Sequence, residues 1–115
     1  MTFEQRIERF CRRENLSLEW QDCKHGLRRA RIETNSFSET DAIRNAIKKM
    51  KDVHVDSWTC GAGSFEGYVY VTDAAEQRRA DNAQWIETER LESWWQRYHV
   101  ADAETRRLMA CGAIQ

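Results

Sequence analysis

With 115 residues, 41% of them apolar and 32% charged, the chain has enough Trp, Phe, Ile, Leu and Val for one core, and the signature of a disordered segment is missing. It holds no proline, which excludes PxxP ligands and proline-rich linkers. A net charge of −1 supplies no overall polyanion-seeking field, although residues 1–58 carry twelve Lys or Arg against ten Asp or Glu and residues 59–115 six against nine.

The opening segment MTFEQRIERF mixes both charges and no long apolar run follows, so neither a secretory signal nor a membrane span is predicted and the expected location is cytoplasmic. Cys11, Cys23, Cys60 and Cys111 are scattered without a CxxC pair. In a reducing compartment they are expected as free thiols, several of them serving as small buried hydrophobes.

Phe3, Ile7, Phe10 and Cys11 recur at the spacing of one helix face, with Thr2 as N-cap and Asn15 as the stop. From Leu16 the period changes to two: Leu16, Leu18 and Trp20 alternate with Ser17, Glu19 and Gln21. A turn-like stretch, Asp22 to Gly26, leads into Leu27 to Thr34, with Ala30 and Ile32 inward and Arg29, Arg31 and Glu33 outward. The pair reads as a hairpin with one solvated face.

A second helix is predicted after Phe37, with Ser38 and Asp41 placed like a capping box. Its apolar stripe is Ala42, Ile43, Ala46, Ile47 and Met50, and Arg44, Lys48, Lys49 and Lys51 complement the negative end of the helix dipole. Val53 to Thr59 and Phe65 to Thr72 are strands joined by the loop Cys60-Gly61-Ala62-Gly63-Ser64. Val53, Val55, Val69 and Val71 take one face; His54, Asp56, Trp58, Tyr68 and Tyr70 take the other.

Everything after Asp73 reads as helical: Ala74 to His99 in one helix or two, then Asp102 to Cys111, closed by Gly112. Leu91, Trp94, Trp95 and Tyr98 form an apolar stripe that either covers the aromatic sheet face or meets a partner. The predicted fold is one α+β domain over residues 1–115, in the order α-ββ-α-ββ-α-α. A right-handed crossover through the second helix joins the two hairpins in a four-stranded antiparallel sheet, and helices pack on it.

No motif for catalysis, metal or nucleotide binding emerges. Gly61 to Gly67 resembles a dinucleotide loop only superficially, because a strand follows where a helix is needed. His54 and Cys60 share a strand face but stand roughly 20 Å apart, beyond hydrogen-bond reach. No pair of Cys or His doublets suggests zinc, and no cofactor is expected.

The aromatic and basic groups are the remaining signal. Five Trp in so short a chain favour a protein interface. The expectation is a non-enzymatic interaction module, an adaptor or inhibitor that binds a protein partner or itself as a homodimer. Its candidate binding residues are Arg29, Arg31, His54, Trp58, Tyr68, Tyr70, Trp94 and Trp95. The first alternative is a nucleic-acid platform in which this sheet face, with Lys24 and Arg28 nearby, stacks bases and neutralises phosphates. The second is a small enzyme or ligand binder without a recognisable motif.

Overall fold

The computed structural model describes residues 1–61 and 63–111. Helix α1 is Phe3–Arg13, and its N-terminus is closed by a capping box in which Thr2 and Gln5 satisfy each other's backbone N–H groups. It ends with Asn15 in the left-handed region (φ 56°) and the Leu16 N–H donating 2.8 Å to the Cys11 carbonyl. The asparagine therefore terminates the helix in a Schellman arrangement and turns Leu16 back toward the core.

Strands β1, Leu18–Asp22, and β2, Arg28–Thr34, flank a single 3-10 turn at Lys24–Gly26. Helix α2 is Phe37–Lys48 and strands β3 and β4 are Val53–Gly61 and Phe65–Asp73. Helix α3, Ala74–Val100, is one continuous helix and is followed by α4, Ala103–Ala110. The element order is the expected one, in a four-stranded antiparallel sheet ordered β1-β2-β4-β3. Strand β4 thus lies between β2 and β3, so the two hairpins are joined through the β2–β4 ladder.

Two details differ from the sequence reading. The N-cap of α2 is Ser36, whose hydroxyl accepts from the Glu39 N–H at 3.1 Å; Ser38 already lies inside the helix. The buried stripe follows from that start: Thr40 and Ile47 are buried and Ile43 half-buried, while Ala42 and Ala46 are exposed. The second difference is at the β3–β4 turn, where Cys60 pairs with Glu66 and Gly61 with Phe65, so the ladder runs two residues further than predicted. Ala62, read in the sequence as part of that loop, and Gly112, read as closing the last helix, lie outside the described residues.

The chain divides into two compact units, Met1–Ala80 and Asp81–Gln115. In the first, the core forms from the helix-facing side of the sheet. Ala30, Ile32, Val69 and Val71 lie fully buried beneath Ile7, Phe10, Cys11 and Ile47 of the two helices. Leu18, Trp20, Val53 and Val55 complete it from the outer strands. In the second unit the last turns of α3 pair with α4. Trp94 stacks on Tyr98 (5.3 Å between centroids), and Arg106 donates to the Tyr98 and His99 carbonyls. Asp102 caps α4 through the Thr105 N–H at 2.8 Å, and that bond holds its carboxyl below the usual carboxylate range.

Candidate interaction face

Alternation along the strands sends every second side chain away from the core, and the register decides which of them meet. Arg31 stands opposite Tyr70, Glu33 opposite Tyr68, Asp56 opposite Tyr70 and Trp58 opposite Tyr68. The sheet therefore gathers Arg29, Arg31, His54, Trp58, Tyr68 and Tyr70 on one face, as the alternation predicts. Trp94 and Trp95 belong to the second unit and have ring neighbours there: both contact Tyr98, and Trp95 also contacts His99.

The rings form a continuous ladder. Trp58 stacks on Tyr68 at 6.1 Å and 23°, and Tyr68 leans on Tyr70 at 6.2 Å and 33°. Each tyrosine carries a guanidinium over its ring, Arg31 at 4.8 Å from Tyr68 and Arg29 at 4.3 Å from Tyr70. Such cation–π contacts contribute about 0.5–1 kcal/mol each at exposed sites. The arginines are held in turn from β1, where Glu19 pairs with Arg31 and the Gln21 carbonyl accepts from Arg29 at 2.6 and 3.1 Å. Glu19 and Gln21 are thus positioning residues that the sequence reading placed outward without assigning them a role. Their signal was available in the hairpin register, which sets Glu19 against Arg31 and Gln21 against Arg29.

This clamping changes what the face offers. Arg29 and Arg31 are opposed on the same face by Glu19, Glu33, Asp56 and Glu66, so the field over it is not positive. His54 is engaged with Asp56, Nε2 to Oδ2 at 3.0 Å. Trp58 at the β3 edge remains 47% exposed, while Tyr68 and Tyr70 are half-buried. A shallow polar cavity of about 330 Å³, lined by Ser17, Glu19, Arg31, Glu33 and Tyr68, opens at one end of the face.

An excess of cations lies elsewhere among the described residues, with Arg13 paired to Glu14 at 3.4 Å. A groove of about 470 Å³ between α1 and α2 is lined by Arg6, Arg9, Arg13 and Lys49 over Phe10 and Met50, with Glu14 the one carboxylate. The helix dipole accounts for the Lys residues of α2, and no spacing in the sequence joins them to the arginines of α1, which lie more than thirty residues away in the chain.

The chemistry of catalysis and metal binding finds little here. Cys60 and His54 share the open face at opposite ends of β3, and Cys11, with its thiol pushed up to about 11 by burial, is a core side chain. Among the described residues no group of three or more His, Cys, Asp or Glu converges as metal ligands would. No helix among them is long and apolar enough to cross a membrane. Comparison of the chain with protein families, with curated proteins and with solved structures finds no match.

Proposed function

We propose that this chain is a non-enzymatic protein-interaction module that docks a partner on the open face of its sheet. The observation that carries the reading is the clamped aromatic ladder. Trp58, Tyr68 and Tyr70 offer large rigid area, Arg29 and Arg31 are pre-ordered over it, and carboxylates on the same face outnumber the two guanidiniums. Trp, Tyr and Arg are the residues that dominate protein interfaces, and side chains ordered before binding lose little entropy on docking. The cytoplasm is the compartment that suits it, because the four cysteines are separate free thiols, the state a reducing environment maintains.

The same geometry weakens the use of this face for nucleic acid. Base stacking needs an open ring face and phosphates need unopposed cations. Here guanidiniums occupy the tyrosine rings, Glu19 pairs with Arg31, and the Gln21 carbonyl accepts from Arg29. A polyanion reading is better supported at the α1–α2 groove, where Arg6, Arg9, Arg13 and Lys49 face one carboxylate.

Affinity capture with the intact chain, run in parallel on wild type, Trp58→Ala and Arg9→Glu/Lys49→Glu, separates the two. The interaction reading expects a stoichiometric protein partner that survives about 0.5 M salt and is lost with Trp58→Ala alone, since phosphate-driven binding collapses over that range. Capture of nucleic acid that disappears with added salt and with the charge reversal would replace it.

A further inference from the structure

The two edges of the sheet differ in kind. Edge β1 is five residues long and carries exposed Glu19 and Asp22. Edge β3 runs nine residues, Val53–Gly61, paired on one side only, with a one-to-one register to β4 and no bulge anywhere along it. It contains no proline or lysine, and its one carboxylate is Asp56. A long regular edge without those guards presents a row of free N–H and C=O groups, which is a template for another strand.

We infer that two copies of this chain pair antiparallel through β3, about a two-fold axis at Ser57, to make one continuous eight-stranded sheet. The inference concerns the edge and stands apart from the reading of the open face, which leaves the edge unused.

The strand itself selects a second copy as the occupant. A nine-residue strand overlaps its own full length only when Val53 stands opposite Gly61 of the other copy, which sets Ser57 opposite Ser57. Residues directly opposite one another point to the same face of a sheet. In this register Val55 meets Thr59 on the helix side, while His54 meets Cys60 and Asp56 meets Trp58 on the open side. The arrangement that makes the most hydrogen bonds therefore also aligns the helix-covered faces of both copies.

Neighbouring registers are worse on identifiable grounds. A slip of one residue opposes the two faces and exposes a core side. The nearest face-matched alternatives shorten the ladder by two pairs, and one of them sets Asp56 against Asp56, a like-charge contact. The Ser57-centred pairing avoids both faults and places a neighbouring strand beside Trp58, which is 47% exposed.

Two measurements on the full chain test this. Sedimentation velocity of the wild type over roughly 1–100 μM should show concentration-dependent growth toward twice 13.6 kDa. The second introduces His54→Cys into a chain that keeps Cys60 and carries Cys23→Ser and Cys111→Ser. Positions 54 and 60 of one chain are roughly 20 Å apart, and a disulfide needs Cα atoms within about 7 Å. Mild oxidation should therefore yield a covalent dimer that disappears when Cys60→Ser is added and does not form when His54 is retained. A wild type that stays monomeric over the whole range overturns the inference, and so does a crosslink that survives Cys60→Ser. A monomer that still loses its partner with Trp58→Ala would sink the edge pairing and leave the face reading intact.

Discussion

Gly67→Ala is a sensitive probe of how the first unit is built, because ordinary propensity and this packing predict opposite signs. In a strand, glycine is usually worse than alanine by about 0.5–1 kcal/mol, so the substitution should stabilise. Here Gly67 is buried opposite Thr34, and a Cβ built on it would lie 2.6 Å from the Thr34 Oγ1 and 2.5 Å from the Phe65 Cζ. The two neighbours differ in how far they can yield. Phe65 packs edge-on against Phe37, which is 54% exposed, so that ring pair can swing outward.

Thr34 cannot yield in this way. It is buried, its hydroxyl is 2.7 Å from that of Thr40, and Thr40 in turn donates to the Ser36 carbonyl at the α2 N-cap. Moving it separates a buried hydroxyl pair, at about 1–3 kcal/mol, on top of an overpacking cost of about 1–3 kcal/mol. Against the propensity gain, the net expectation is destabilisation by about 2–4 kcal/mol. For a unit of this size that lowers the melting temperature by roughly 8–30 °C, readable by calorimetry or far-UV dichroism. Thr34→Ala together with Thr40→Val removes both the obstruction and the polar pair, so in that background Gly67→Ala should cost far less. Gly67→Ala with wild-type or higher stability would refute the tight β2–β4 approach.

The same packing sets further outcomes. Ser36→Ala should destabilise by about 1 kcal/mol in denaturant titration while Ser38→Ala changes little, since only Ser36 caps α2. Thiol alkylation of the folded chain should label exposed Cys60 and Cys111 first and leave Cys11 until unfolding, its thiol being buried and held protonated to about pH 11. Trp94→Ala should cost about 1 kcal/mol more than Trp95→Ala in denaturant titration followed by far-UV dichroism, because Trp94 is half-buried while Trp95 is 46% exposed.

Periodicity made much of this fold legible. The switch from helical spacing through Phe10 and Cys11 to alternation from Leu16 marks a real boundary, and the split of Val53, Val55, Val69 and Val71 from His54, Trp58, Tyr68 and Tyr70 holds residue by residue. Such patterns are local and follow from which residues must leave water. The α2 cap is ambiguous in the sequence because Ser36 and Ser38 each precede an acidic residue three positions on, and only the entry path from β2 decides between them.

Strand order was not legible in the same way. Both hairpins are local, but the neighbour of β2 depends on the long-range ladder from Ala30–Val71 to Thr34–Gly67. The candidate face shares that limit. Alternation places Arg29, Arg31, His54, Trp58, Tyr68 and Tyr70 on one face, yet the cation–π pairs are diagonal contacts, Arg29 to Tyr70 and Arg31 to Tyr68, that need the register before they can be seen. The α1–α2 groove joins side chains that no spacing rule connects.

The most direct test of the face as a protein-docking surface is site-specific photo-crosslinking in the native cell. A photoreactive p-benzoyl-phenylalanine in place of Tyr70 sits one strand in from the β3 edge, among Arg29, Arg31 and Tyr68. The same group in place of Asn45, exposed on α2, is the control. Docking on this face should give a discrete adduct at position 70 with a protein other than this chain, lost on adding Trp58→Ala, and none at position 45. No adduct at 70, or an adduct with nucleic acid, would contradict it.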